Sequence, residues 1–261
     1  MRTFKLTVAY DGTDFAGWQV QPGKATIQGG LQSALLALTG ERVAVVGSGR
    51  TDAGVHALGQ VASFRLSRWR ASPDALARAL QTKLPDTIAV QDVVEAAGHF
   101  HALRDATAKR YRYRIRVGGT ADPFGDRYCW RLGVDVDFDA VVAASRRIVG
   151  RHDFASFQAA GAPRKTTVRD VRLCDWTQEP GTFDPLPLAT PLRGRRWTLE
   201  IEADGFLYNM VRNIVGSLVE VGRGRRPPDW IRQVMRARDR RQAGPTAPPQ
   251  GLFLQRVTYP Q

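Results

Sequence analysis

Cysteine is nearly absent from this chain: Cys129 and Cys174 are the only two in 261 residues, far too few for a disulfide framework. A reducing compartment fits that usage. No uninterrupted apolar run approaches the roughly 18 residues that a membrane span needs. The N-terminus enters a strand-like pattern, with Asp11 close behind, and lacks the apolar core of a secretory leader. A cytoplasmic protein without membrane contact is therefore expected. Histidine is sparse as well, four in all. His99 and His101 alternate as strand residues do, and no cysteine stands near them at ligand spacing, so no metal site is expected. Lysine accounts for only five of the 38 basic residues; against 25 acidic residues these leave a net charge of +13 and a pI of about 10.6. An excess of that size over one chain points to a polyanionic partner, with nucleic acid the leading class. Arginine is the residue suited to bidentate phosphate contact and base stacking, although genomic base composition raises its share equally well.

The apolar pattern organises the chain into two similar halves. Residues 3 to 10 alternate, with Phe4, Leu6, Val8 and Tyr10 on one face, as in a half-buried strand. Thr26 caps a helix carrying Ile27, Leu31, Leu35 and Leu38, closed by Gly40. A short apolar strand (Val43 to Val46), the loop Gly47 to Gly54 and a strand near Gln60 to Leu66 follow. Ser72-Pro73 open a second helix that ends at Pro85, and Ile88 to Val94 form another strand. Strand, helix, strand, strand, helix, strand is the split βαβ order of ferredoxin-like domains.

A second pass begins at Thr107 to Val117, where Tyr111, Tyr113, Ile115 and Val117 face one way and Arg110, Arg112, Arg114 and Arg116 the other. Helices are expected over Phe138 to Val149, Phe206 to Val221 and Pro228 to Arg238. Strands are expected near Val168 to Trp176, Trp197 to Glu202 and Leu252 to Tyr259. The expected fold is α+β: two ferredoxin-like domains, 1–105 and 106–261, with mainly antiparallel sheets forming a central cleft. Residues 177 to 196, rich in Pro and Gly, read as a mobile surface loop. The turn at 222 to 229 carries Arg223, Arg225 and Arg226; a basic loop facing nucleic acid and a solvated turn both fit it.

The segment richest in chemistry is Gly47-Ser48-Gly49-Arg50-Thr51-Asp52-Ala53-Gly54-Val55-His56. It is no phosphate-binding loop, because no Lys-Ser or Lys-Thr follows a spaced glycine, and a strand rather than a helix comes next. What it offers is one acid, Asp52, two residues from one base, Arg50, in backbone able to approach a ligand closely. On spacing alone, capping a turn is the commoner role for an Asp in such a loop.

Gly49 to Gly54, with Val55, His56, Gly59 and Gln60, resembles the signature of the tRNA pseudouridine synthase A family. The likeness extends along the chain. Tyr10-Asp11-Gly12 with Phe15, Gly17, Trp18 and Gln19 resembles the family's opening, and Lys109-Arg110-Tyr111-Arg112-Tyr113 its middle strand. Met210-Val211-Arg212-Asn213-Ile214-Val215-Gly216 resembles its long C-terminal helix, and Gly251-Leu252 with Leu254 its closing strand. Loop 177 to 196 looks longer than the family needs.

The resemblance implies a homodimeric enzyme without cofactor that converts uridine to pseudouridine at positions 38 to 40 of the tRNA anticodon stem-loop. The base is detached from the ribose and rejoined through carbon 5, which calls for a carboxylate near the sugar, a surface to hold the freed base, and exclusion of water. It makes Asp52 the catalytic residue, leaving open attack on the sugar, attack on the base or removal of a ribose proton. It makes Arg212 a nearby cation that keeps Asp52 ionised; an Arg solvated at the edge of its helix fits the pattern equally. Arg50 would fill the space left by the extruded uridine, Tyr111 would stack on the target base and Leu252 would close the apolar side of the pocket. A core role is the alternative for Tyr111 and Leu252, and the default for Tyr113. Two rivals fit less well. A noncatalytic pair of RRM-like RNA-binding domains needs an aromatic RNP1 run that this chain lacks, and an aspartic hydrolase couples two carboxylates where this motif has one.

Overall fold

The computed structural model of the chain describes residues 1–159, 161, 166–179 and 194–260. Most of the loop expected at 177 to 196, residues 180–193, lies outside them. The chain divides into two compact units, Met1–Lys109 with Phe253–Gln261, and Arg110–Leu252. The α+β class is as expected.

The first unit opens with β1 (Arg2–Tyr10), whose alternation is realised: Phe4, Leu6 and Val8 are fully buried. Helix α1 (Ile27–Thr39) starts where the Thr26 hydroxyl accepts from Gly29 N and stops at Gly40, φ +68. Strand β2 covers only Val46–Gly47. The expected start at Val43 fails because the carbonyls of Val43 and Val45 accept from the side chains of Gln32 and Gln28 on α1, not from a neighbouring strand. Strand β3 (His56–Leu66) begins four residues earlier than its pattern indicates. Helix α2 (Pro73–Gln81), capped by Ser72, and β4 (Ile88–Ala96) complete the run. β1 lies between β4 and β3, antiparallel to both. His99 and His101 are not in a strand; His99 lies in a turn and His101 just before another, where its Nδ1 accepts from the backbone N–H groups of Leu103 and Arg104.

The second unit holds β5 (Ala108–Val117), β6 (Trp130–Leu132), α3 (Phe138–Ser145), β7 (Gly150–Asp153), β8 (Val168–Gln178), β9 (Arg195–Ala203), α4 (Met210–Gly222) and α5 (Trp230–Ala237). Its strands run in the order β5-β9-β8-β7, with β6 on β5. β6 and β7, of three and four residues, are too short for alternation to reveal. α3 ends before Val149 because the chain tightens into i→i−3 bonds at Arg147 and Ile148. α4 starts at Met210 and not Phe206 because Asn209 sits in the left-handed region at φ 59, which a helix cannot pass through. The closing strand, β10 (Leu252–Thr258), pairs in parallel with β3 at Phe253↔His56 and Leu254↔Ala57. That pairing, with Tyr10 of β1 opposite Ala57, explains the early start of β3. It also hides it from the sequence: a Cβ on Gly59 would lie 2.8 Å from the Gln255 carbonyl oxygen, so glycine stands where a strand former would signal the strand.

Candidate active site

One edge of β3 is used twice. β2 pairs at Ser63 and Ala62, and β10 pairs at His56 and Ala57. The motif loop Ser48 to Val55 leaves β2 and re-enters β3 between these two anchors. Its first residue is clamped. Ser48 N donates to Val61 O at 2.7 Å, Ser48 Oγ meets Gln60 Oε1 at 2.6 Å, and Lys109 Nζ donates to Ser48 O at 2.6 Å. The Gln60 side chain, wholly buried, also donates to Gly49 O at 2.9 Å. Further along, the buried Tyr10 hydroxyl lies 2.8 Å from Thr51 Oγ1. Burial pushes the Tyr10 pKa up to about 12, only partly offset by its hydrogen bonds to Thr51 and Gln60. It therefore acts as a neutral strut.

The segment after β1 closes over the loop from the other side. Trp18 N donates to Thr51 O, and Gly54 N donates to Phe15 O. These approaches demand glycine. A Cβ on Gly17, at φ +93, would lie 2.5 Å from Thr51 O, and one on Gly47 would lie 2.5 Å from the Trp18 ring. Within this frame Asp52 is half-buried, its carbonyl accepting from Val55 N at 3.1 Å, while Arg50 is exposed. The loop's two ionisable side chains thus stand on an over-determined backbone, the acid partly desolvated and the base in solvent. Such a loop can hold a carboxylate against a ligand with little loss of order.

The other three expected residues belong to the second unit. Tyr111 on β5 is 7% exposed and meets Phe206 edge-on, with ring centroids 5.1 Å apart. Arg212, in the first turn of α4, is half-buried. Its Nε donates to Ala247 O at 2.7 Å and its Nη1 to Asn209 Oδ1 at 3.1 Å, while Ala247 N donates to Arg212 O. The arginine is therefore built in, not solvated at the helix edge. Tyr113 is fully buried and donates its hydroxyl to Pro248 O; burial raises its pKa well above the ordinary value, against the lowering charge of Arg212. Gly251 comes so close to the Tyr113 ring that a Cβ would lie 2.8 Å from it. Leu252, 5% exposed, follows directly. The second unit thus gathers Arg212, Tyr113 and the segment leading to Leu252.

Several contributors have no role in the sequence reading. Gln60, Tyr10, Trp18 and Lys109 fix the loop, and Asn213, fully buried, fixes the Arg212 side. Asn213 Nδ2 donates to Phe157 O, and its Oδ1 accepts from Thr246 Oγ1 at 2.7 Å and from Arg240 at 3.0 Å. All except Phe157, Arg240 and Thr246 fall inside the motif segments, which was the available signal. The arginine face of β5 differs from its appearance in the sequence. Arg110 and Arg112 pair with Glu200 and Glu202 on β9, Arg114 pairs with Glu179, and Arg116 is buried against Asp126. This stripe is neutralised within the protein and does not present four open cations.

Comparison with known proteins bears on this assembly. A family model described as tRNA pseudouridine synthase matches residues 6–102 and 144–260. The tRNA pseudouridine synthase A of Moorella thermoacetica is 44% identical over 261 residues, covering 99% of this chain and 100% of its own. The proteins of that name from Myxococcus xanthus and Pelobacter propionicus are each 42% identical over 259 residues, covering 99% of this chain and 92% and 100% of their own. The matched family spans both the clamped Asp52 loop and the Arg212 helix, and the chain belongs to the tRNA pseudouridine synthase family.

Proposed function

We propose that Asp52 is the catalytic residue of this isomerase, which converts uridine to pseudouridine in tRNA, and that its targets lie at positions 38 to 40 of the anticodon stem-loop. The observation that carries the reading is the over-determined loop, in which Ser48, Gly49 and Thr51 are all tied down beside one half-buried carboxylate. The reaction breaks the glycosidic C–N bond, forms a bond from the ribose to carbon 5, releases the carbon-5 proton and returns one to nitrogen 1, so no oxidant, metal or nucleotide is consumed. Asp52 acts at the reacting nucleoside. Tyr111 offers the detached base an aromatic face, a contact that tolerates in-plane rotation because it is tied to no hydrogen-bond pattern. Arg212 supplies positive charge to the site, Leu252 an apolar wall, and Arg50 takes the place of the extruded uridine.

The division of labour follows the two halves, 1–105 carrying the Asp loop and 106–261 the Tyr and the Arg helix, each read as a ferredoxin-like domain. The enzyme works in the cytoplasm as a homodimer across which one tRNA lies. Tritium release from a tRNA transcript labelled at uridine carbon 5 tests the assignment. Asp52→Asn is expected to lose roughly a thousandfold or more in single-turnover rate, with the tRNA dissociation constant within about threefold of wild type. A variant that still releases tritium at the wild-type rate removes Asp52 from its role. A wild-type protein that binds tRNA and releases none makes the chain a binding protein.

A further inference from the structure

The turn joining α4 to α5 is a built structure. Gly224, at φ +71, reverses the chain. Arg223 N donates to Val219 O, Gly224 N to Val221 O and Arg225 N to Glu220 O, all between 2.8 and 3.1 Å. Pro227 and Pro228 stiffen the descent into α5. The guanidinium of Arg226 lies 5.3 Å from the centre of the Trp230 ring, which orients it while leaving its in-plane N–H groups free to meet an anion. Among the described residues Arg226 has no acidic partner, and Arg225 shares the single carboxylate of Glu220 with Arg223, at 3.1 and 3.8 Å.

From 220 to 241 the chain carries eight arginines against three acids, +5 of the whole protein's +13. The turn borders a shallow concavity of about 410 Å³ lined by Arg225, Arg226 and Pro227 together with Asp137. The Asp137 carboxylate is already engaged, capping α3 by accepting from Ala140 N at 3.0 Å. The exposed large apolar side chains lie elsewhere, so a lipid surface finds nothing here to insert. Arg212 sits in the first turn of α4 and this turn follows the last, a separation of roughly 17–20 Å along the helix axis. A nucleotide held at one end does not reach the other.

We propose that this turn is a second contact for tRNA, where Arg225 and Arg226 hold backbone phosphates remote from the target uridine. The inference rests on the reading that the chain acts on tRNA. An exposed pair of guanidiniums, one without an acidic partner among the described residues and the other sharing Glu220 with Arg223, matches a phosphate backbone in charge and in hydrogen-bond geometry.

The test compares Arg225→Ala/Arg226→Ala with a control of the same charge change, Arg70→Ala/Arg104→Ala, at two exposed arginines of the first unit. On an unmodified tRNA transcript the turn variant is expected to raise the dissociation constant about tenfold. It should also flatten the slope of log affinity against log salt by about 2, with the rate at saturating tRNA within about twofold of wild type. The control is expected to leave affinity and slope near the wild-type values. Affinity and slope unchanged in the turn variant, or changed equally in the control, would overturn the proposal, the second outcome reducing it to the protein's general charge. A wild-type enzyme that releases no tritium from the same transcript fails the underlying functional reading instead.

Discussion

On the proposed assignment, the placing of Asp52 depends on side chains that hold its loop rather than on the acid alone. Gln60 is the clearest, since one buried amide ties Ser48 and Gly49 to the strand that follows the loop. Its removal leaves the Ser48 hydroxyl and the Gly49 carbonyl without a partner they have in the native fold. Displacing a catalytic group by an ångström can cost about a hundredfold in rate. Gln60→Ala is therefore expected to lower the single-turnover rate between about 10- and 100-fold, to cost about 2 kcal/mol of stability, and to leave tRNA affinity near wild type. Tritium release and a urea melt check the two effects separately. Tyr10→Phe removes the 2.8 Å contact to Thr51 and the long 3.5 Å one from Gln60 but leaves the Gln60 bonds to Ser48 and Gly49 in place, and should cost about 1 kcal/mol. An equal loss of rate in both variants would show that no single clamp positions the loop.

At the scale of elements, β5 carries two kinds of arginine that alternation cannot tell apart. Arg110 and Arg112 are about a quarter exposed and share carboxylates on β9, whereas Arg116 is 2% exposed and donates through Nε and Nη2 to Asp126. Burial alone would raise the Asp126 pKa, but the Asp122 backbone N–H and the charges of Arg116 and Arg131 hold it below the ordinary carboxylate value. Asp126→Asn strands a buried guanidinium and is expected to cost about 3 kcal/mol. Glu200→Gln, at a half-exposed pair, should cost under about 1 kcal/mol; denaturation midpoints in urea measure both. The same contrast explains how much of the molecule could be read in advance. Helices with local caps, Thr26 for α1 and Ser72 for α2, announce themselves, because the capping atoms lie within three residues of the amides they serve. Elements fixed by distant partners do not. β3 owes its first residue, His56, to β10, nearly 200 residues on, and α4 its start to the left-handed Asn209. At the site, the motif segments marked where chemistry lies. The network through Gln60, Lys109 and Asn213 needed coordinates, because its partners converge from separate parts of the chain.

Over the whole molecule, buried acids of high pKa limit stability on the alkaline side. Burial raises the Tyr10 hydroxyl and the Cys174 thiol each to about 12 and the Cys129 thiol to about 11. Unfolded, these groups lose their protons at their lower ordinary values, so above about pH 9 the unfolded state binds fewer protons and stability falls as pH rises. Each group steepens the fall by about 1.4 kcal/mol per pH unit between its unfolded and folded pKa. Cys174→Ser should make the decline shallower, as read from melting temperatures between pH 8 and pH 11. The net charge of +13 is not carried to the surface by every arginine. The β5 stripe is cancelled internally, whereas from 220 to 241 eight arginines meet four carboxylates, Asp153 included. A count of cations would promise a very steep salt dependence; a footprint of about six phosphate contacts gives instead a log–log slope of about −5. Between 50 and 200 mM salt that slope corresponds to a loss of about a thousandfold in affinity, measurable by fluorescence anisotropy with labelled tRNA. A slope shallower than about −2 would mean that phosphate contacts contribute little and that the excess charge serves some other partner.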